Sequence, residues 1–412
     1  MKLWNKNFTY SFIGTIISAI GSVGLSLGLS VFVYNETNST LLSALFACLS
    51  MIPQFILPIF VGALIDRKHP VKVLVVNEII LSFVFLFAAI YLHILGFNYF
   101  FLLLITFLIS LLGVVSQLAS GSILPKIMDV TNFNKGNSIM NMIYPLSSVA
   151  TTPLIMWVID TLGVPFLFMV CTICSLLDAF LESKIDVSFS FLDNSSKQTY
   201  DSFRKDIKAG LDYVRTTPSI RSIFLFFMTV MMMNSVKEVL LYPFFVSTPG
   251  LGSQNYALLL SVSSLGYICG GLFLYFFKIP PKKRFFLSSL IFIYFIFAEG
   301  LLFFMPFKIL LFTQFIAGFL GSQSANFRTS AILAMVPENL LGKVNALFGV
   351  MINLAIFFSK GLVGLMGAYL PYGAIALIFG TLQLISYLFI FRLPRNNVKE
   401  VYNYDVTVTA VN

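Results

Sequence analysis

The sequence predicts an all-helical membrane protein with twelve transmembrane helices in two pseudo-symmetric six-helix bundles. Hydrophobic residues make up 58% of the 412 residues and charged residues only 10%, whereas soluble domains carry about 25% charged residues. Apolar runs of about 20 residues, enough to cross a bilayer, recur along the whole chain. One long polar connection near the middle divides these runs into two groups of six.

The apolar runs define the spans in chain order. Most connections between them are short, so we expect neighbouring helices to be antiparallel. The predicted spans cover residues 8–34, 40–64, 72–95, 98–123, 136–160, 164–184, 219–247, 254–278, 284–305, 307–334, 341–369 and 371–392.

The distribution of basic residues predicts the orientation in the membrane. With the N-terminus in the cytoplasm, the cytoplasmic segments hold nearly all Lys and Arg residues outside the spans, and the opposite loops hold only Lys308. This is the positive-inside pattern. We therefore expect both termini to be cytoplasmic and the protein to be a multi-pass protein of a bacterial plasma membrane. The net charge of +9 follows from topology and does not indicate nucleic-acid binding.

The central connection contains an amphipathic stretch. Phe203, Ile207, Leu211 and Val214 recur at helical spacing on one face, and basic residues surround them. We expect this helix to lie at the cytoplasmic membrane surface. The predicted organisation is an N-terminal bundle (1–184), a cytoplasmic linker (185–218), a C-terminal bundle (219–394) and a cytoplasmic tail (395–412).

The turn after the second span carries a recognisable motif. Two six-helix halves, a long central loop and a Gly-x-Leu-x-Asp-Arg turn resemble the major facilitator superfamily, whose signature here is Gly-x-Leu-x-Asp-Arg-x-Gly-Arg-Lys. The chain matches it at Gly62, Leu64, Asp66 and Arg67. It departs after Arg67, where His69 replaces the second Gly.

The resemblance implies a secondary transporter in which this turn acts as a conformational latch. It places Asp66 near the N-terminus of the eleventh span, where a carboxylate meets unpaired N–H groups and the positive end of the helix dipole. Gly62 and Arg67 belong to the same turn, and Lys72 supplies a basic charge in place of the family's later pair. A solvated loop that obeys the positive-inside rule is the alternative reading.

A narrower resemblance is to the macrolide-efflux-like branch of drug/proton antiporters. It rests on Leu124-Pro125, on Val336-Pro-Glu338 before Leu341-Gly-Lys-Val-Asn345, and on the stretch 207–218 that leads into the seventh span. Exporters of siderophores and small peptides resemble the same branch, so the resemblance leaves the cargo open.

Ionisable residues inside predicted spans are the main candidates for transport chemistry, because they are expensive in a membrane. Lys237 and Glu238 interrupt the seventh span, where Glu238 is a candidate proton carrier. The alternative is that both reach the external interface. Lys360 in the eleventh span is expected to pair with Glu238, to bind an anionic group of the cargo, or to form a purely structural ion pair.

Four further polar residues are candidates for binding substrate or coupling protons. These are Asn234, Gln117, Asn353 and Arg328, the last with an interface anchor as its alternative role. The acids Glu78, Asp178, Glu182 and Glu299 lie on spans that the resemblance places outside a central cavity, so they are weaker coupling candidates.

The predicted function is proton-coupled export of a small hydrophobic or amphipathic compound, such as a macrolide-like drug. No G-x-x-x-x-G-K-[ST] loop is present, so the energy has to come from an ion gradient. We expect this to be the proton gradient, with sodium as the alternative, and we expect no cofactor and no metal. Export of an endogenous siderophore or peptide and uptake of a metabolite are alternatives. A remote alternative is an integral membrane enzyme that modifies lipids. We expect that the protein is not an enzyme. The expected partners are a small-molecule substrate and membrane lipids, with no nucleic acid, and the expected state is a monomer.

Overall fold

The computed structural model describes residues 4–65, 69–128, 133–187, 200–277, 279–393 and 395–403, and over these ranges the chain is helical with short connections. The described residues form two compact units. The first contains residues up to 38 and from 46 to 200, and the second contains residues 39–45 and those from 201 onward.

Seven helices precede the central connection. They are α1 (Lys6–Thr37), α2 (Thr40–Leu49), α3 (Ile52–Ile65), α4 (Pro70–Leu95), α5 (Tyr99–Ile123), α6 (Phe133–Leu162) and α7 (Val164–Glu182). A single 3-10 turn, Leu124–Lys126, extends α5.

From residue 200 onward the described part of the chain contains eight α-helices, the first of which lies within the central connection. They are α8 (Tyr200–Thr216), α9 (Pro218–Ser247), α10 (Gly252–Phe276), α11 (Pro281–Gly300), α12 (Phe307–Met335), α13 (Glu338–Gly367), α14 (Tyr372–Ser386) and α15 (Arg395–Tyr402). The π-helical segment Tyr387–Arg392 continues α14.

Within the described ranges, nine helices are long and apolar enough to cross a membrane. The other three predicted spans correspond to α2 with α3, to α11 and to α12. The structure therefore agrees with the predicted all-helical fold of twelve spans, and the observed helix ends differ from the predicted ones by a few residues.

The second predicted span, 40–64, consists of two helices, α2 and α3, with a break between them. The cause is Pro53, which has no N–H to donate to the carbonyl four residues earlier. The chain makes a tighter turn at the break, with Met51 N donating to Cys48 O at 3.0 Å. The Ser50 carbonyl accepts a hydrogen bond from the Ser110 hydroxyl of α5. A neighbouring helix thus satisfies a backbone group at the break.

Tight reversals join neighbouring helices in the first unit. Gly163 is the only residue between α6 and α7, and its φ of 80° lies in the left-handed region that glycine adopts without strain. Asn98 begins α5 by accepting a hydrogen bond from Phe101 N at 3.0 Å. These reversals hold successive helices antiparallel.

Each unit buries its own apolar core. In the first unit, α7 packs against α1 and α4, and Leu102, Leu167 and Phe168 are fully buried. In the second unit, α10 packs on α12 and α9 packs on α13, around a phenylalanine cluster that includes Phe226 and Phe391.

Two amphipathic helices outside the predicted spans, α8 and α15, pack on the core of the second unit. On α8, Val214 is buried, and the Tyr213 hydroxyl donates to Met335 O at 3.2 Å. On α15, Tyr402 is buried, and its burial raises the pKa of its phenol. The helix predicted at the membrane surface therefore packs on the bundle, and part of the predicted tail is a helix.

Small residues allow α10 and α12 to approach closely. A Cβ atom added at Gly266 would meet the Phe315 carbonyl, one at Gly270 would meet the Phe319 carbonyl, and one at Gly318 would meet the Ser263 carbonyl. The G-x-x-x-G spacing of Gly266 and Gly270 therefore serves packing inside the unit.

We predict that Gly266→Ala destabilises the protein by about 1–3 kcal/mol, the usual cost of overpacking, because the obstructing atoms are backbone. Thermal unfolding of the purified protein in detergent measures this. The matched control is Gly349→Ala on α13, where an added Cβ meets nothing within 4 Å. Equal melting temperatures for the two variants would contradict the prediction.

Candidate functional site

The polar residues of α9 define the candidate site. Asn234, Lys237 and Glu238 interrupt an otherwise apolar helix. Adjacent residues on an α-helix point about 100° apart, so Lys237 and Glu238 face different neighbours. Each of the two charged side chains forms an ion pair with a residue on another helix.

Lys237 joins three helices. Its Nζ lies 3.2 Å from Glu299 Oε1 on α11 and 3.4 Å from Gln314 Oε1 on α12. The side chains of Lys237 and Glu299 are only 21% and 10% exposed. This pair is enclosed within the second unit, and its charges balance.

Glu238 faces α13. Its Oε2 lies 2.7 Å from Lys360 Nζ, and its Oε1 accepts a hydrogen bond from Asn234 Nδ2 at 2.9 Å. Beside this pair, the buried Ser359 hydroxyl donates to the Ser235 hydroxyl at 2.7 Å. An ion pair and a hydroxyl pair therefore connect α9 and α13 at the same level.

The Glu238 carboxylate is far more open than that of Glu299, because its side chain is 45% exposed against 10%, whereas Lys360 is as enclosed as Lys237. A carboxylate exposed on a membrane-spanning helix faces either hydrocarbon or water, and the cost of a charge in hydrocarbon favours water. This face of α9 is thus suited to line an aqueous space. Asn353 is partly buried and lies seven residues before Lys360, on the same face of α13.

The other predicted candidates for substrate binding or proton coupling in the described part of the chain are Gln117 and Arg328. Gln117 is exposed on α5. Arg328 is held in the aromatic core, with its guanidinium carbon 4.6 Å from the Phe227 ring centroid and 5.3 Å from that of Phe348. This is a cation–π arrangement, and its neighbours are structural core residues.

Only the first and last residues of the predicted latch, Gly62 and Lys72, lie within the described part of the chain. Gly62 lies in α3, and Lys72 is exposed in the first turn of α4. Asp66 and Arg67 lie outside the described residues.

Sequence reasoning missed Glu299 and Gln314 as partners of Lys237. Glu299 is 62 positions away along the chain, and no local pattern links the two. The sequence did offer one indication of this pairing. A buried cation requires a carboxylate partner, and Glu299 is a carboxylate within an apolar run.

The described residues form a multi-pass helical bundle with ion pairs inside its spans, an arrangement that suits a membrane transporter. The Major Facilitator Superfamily profile matches residues 11–298, which is more than half of the chain. The protein belongs to the major facilitator superfamily and is a transporter, not an enzyme.

Solved structures of transporters share the fold at low sequence identity. The chain is similar to the nucleoside transporter NupG, with a TM-score of 0.70, 12% identity, and coverage of 94% of this chain and 100% of that one. It is also similar to a POT family transporter in complex with a thioalcohol-conjugated peptide (TM-score 0.71, 12% identity, 95% and 96% coverage). A D-xylose–proton symporter gives a TM-score of 0.69 at 15% identity, with 96% and 98% coverage. No curated protein sequence matches the chain significantly.

We predict that Lys237→Met destabilises the second unit by about 3–5 kcal/mol, the cost of leaving one member of a buried ion pair alone. The change leaves the Glu299 carboxylate enclosed without its cation. Thermal unfolding in detergent measures the effect, and the double variant Lys237→Met/Glu299→Gln is expected to recover most of it. Lys360→Met is the comparison, with a smaller loss because Glu238 remains hydrated. A greater loss for Lys360→Met would contradict the assignment of the enclosed pair.

Proposed function

We propose that the protein exports a small hydrophobic or amphipathic compound from a bacterial cell in exchange for protons. In this proposal it belongs to the macrolide-efflux-like branch, works as a monomer in the plasma membrane and keeps both termini in the cytoplasm. The observation that carries the proposal is Glu238, a half-exposed carboxylate in a spanning helix whose cationic partner, Lys360, lies on another helix.

The Glu238–Lys360 pair provides a way to couple proton binding to helix movement. While Glu238 is ionised, its attraction to Lys360 holds α9 to α13 at this level. A proton on Glu238 removes that attraction and leaves Lys360 to be hydrated or to meet a polar group of the cargo. Alternating access requires such a contact, formed in one state and released in the other.

The surroundings of the pair support an apolar cargo. Met231 and Met232 lie two turns or less from Glu238 on α9 and are partly exposed. Methionine side chains are flexible and polarisable and adapt to ligands of different shapes. A site with one titratable pair and an adaptable apolar wall suits amphipathic compounds better than a sugar, which requires many fixed hydrogen bonds.

The proposal also assigns a conformational role to the turn after α3. Gly62, Asp66, Arg67 and Lys72 form the conformational latch, which stabilises one state of the transport cycle. The support is the signature match together with the family membership.

We predict that Glu238→Gln abolishes uphill export and leaves downhill cargo exchange intact, because the amide keeps the hydrogen bond from Asn234 but cannot exchange a proton. The assay measures accumulation of erythromycin and of ethidium in cells with and without the protein, before and after a protonophore. The control is Glu36→Gln, at an exposed carboxylate near the end of α1. Protonophore-sensitive export by Glu238→Gln at the level of the control would refute the coupling role. Accumulation raised by the wild-type protein would indicate uptake instead.

We predict that Asp66→Asn slows export and leaves cargo affinity unchanged. A carboxylate contact at a helix end is worth about 0.3–1 kcal/mol, so the balance of conformers shifts by about two- to fivefold. Initial export rates in everted vesicles and equilibrium binding in detergent separate the two quantities. Asp212→Asn, at an exposed position on α8, is the matched control. A changed dissociation constant with an unchanged maximal rate would contradict the latch.

A further inference from the structure

Three carboxyl groups are buried together in the first unit. Glu78 on α4 and Asp178 on α7 are each 3% exposed, and Glu182 on α7 is 8% exposed. Asp178 and Glu182 are four residues apart, so they lie on one face of α7. That face packs against α4 and α1, and the three groups are close enough to interact electrostatically.

Glu78 is held by hydroxyl groups. The Ser116 hydroxyl of α5 donates to Glu78 Oε1 at 2.6 Å, and the Ser175 hydroxyl of α7 donates to Oε2 at 2.6 Å. Asn77 Nδ2 donates in turn to the Ser116 oxygen at 2.7 Å. The hydroxyl groups fix the position of this carboxyl group without neutralising its charge.

The other two carboxyl groups retain free oxygen atoms. Asp178 Oδ1 and Glu182 Oε2 are buried and have no hydrogen-bond partner among the described residues. Asp178 Oδ1 lies against Gly14 of α1, where any Cβ atom would collide with it. Two buried, unpartnered acceptors in one cluster require a ligand that supplies a hydrogen or a positive charge.

No protein cation supplies that charge in the described part of the chain. None of the three carboxyl groups forms an ion pair there, and Lys184 Nζ lies 5.0 Å above the Phe180 ring centroid instead. The other titratable groups that face the cluster are Tyr144 of α6 and Cys174 of α7, and neither carries a positive charge. Three adjacent anions without water or a counter-ion are prohibitively costly inside a membrane protein.

We propose that Glu78, Asp178 and Glu182 form a proton-binding site, in which three buried carboxyl groups on α4 and α7 share protons. A proton supplies the donor that the free oxygens lack and removes the charge. A metal ion fits less well, because the described residues contain no group of three His, Cys, Asp or Glu side chains arranged to hold one. The inference rests on burial and geometry in the first unit and does not depend on the cargo or on Glu238.

The site extends inward from one end of the unit. Glu182 is the last residue of α7, Asp178 lies one turn before it, and Ser175, which binds Glu78, lies about 10 Å from the helix end. Protons from the aqueous side therefore reach Glu182 first and Glu78 last.

Infrared spectroscopy of the purified full-length protein tests this site directly. The C=O stretch of protonated carboxyl groups is recorded during a pH titration, with deuterium exchange to assign it. The wild-type protein is expected to retain this band at neutral pH, where hydrated carboxyl groups are ionised. Asp178→Asn and Glu182→Gln are expected to lose part of the band, whereas Glu36→Gln is expected to keep all of it.

The absence of the band from the wild-type protein at neutral pH would overturn the proposal, as would an unchanged band in both amide variants. If the amide variants do not fold, Ser175→Ala decides, because it removes one hydroxyl donor from Glu78 and is expected to shift the band. An unshifted band in that variant would overturn the proposal.

In the last experiment, the same infrared band is recorded at constant pH with sodium in place of choline. Loss of the band in sodium would identify a sodium site and overturn the proposal, and an unchanged band supports proton binding. Glu238→Gln is expected to leave the band intact. A failure of the export assays therefore leaves this readout unaffected, and the two proposals fail separately.

Discussion

A charged side chain inside a bilayer must be paired, hydrated or neutralised by a proton, and this constraint organises the polar interior of the protein. Lys237 is paired with Glu299 and enclosed by three helices. Glu238 is paired with Lys360 and also open to its surroundings. Among the described residues, the carboxyl group of Asp178 has neither a cationic partner nor exposure, and protonation is the solution that we propose for it.

Two adjacent residues of α9 show two of these arrangements, an enclosed ion pair at Lys237 and an exposed one at Glu238. A divergence of about 100° turns Lys237 toward α11 and α12 and Glu238 toward α13. The enclosed Lys237–Glu299 pair stabilises the second unit, because breaking it leaves a buried charge without its partner. The Glu238–Lys360 pair is held less tightly, because Glu238 is 45% exposed and water weakens the attraction of an exposed ion pair. The structural role of Lys237 and the coupling role that we propose for Glu238 thus fall on neighbouring residues that face different helices.

Much of the fold could be predicted from the sequence, since apolar length is a local property that each span shows by itself. The break between α2 and α3 also had a local signal in Pro53, which a count of apolar residues overlooks. The partners within the site had no such signal. Ser175 binds Glu78 across 97 positions, and Glu238 meets Lys360 only because α9 packs on α13. Such contacts depend on which helix faces meet, and hydropathy alone does not determine that.

The two acidic sites differ in what surrounds their carboxyl groups. The Glu238 carboxylate lies 2.7 Å from the Lys360 ammonium group, so opening this contact leaves a cation to be hydrated. In the cluster of Glu78, Asp178 and Glu182, three carboxyl groups are buried together, and no cation among the described residues pairs with them. A contact between opposite charges on two helices can be broken and formed again as the helices move, whereas a buried cluster of like groups offers no such contact. For this reason the two proposals assign proton binding to the cluster and the coupled exchange step to the Glu238–Lys360 pair.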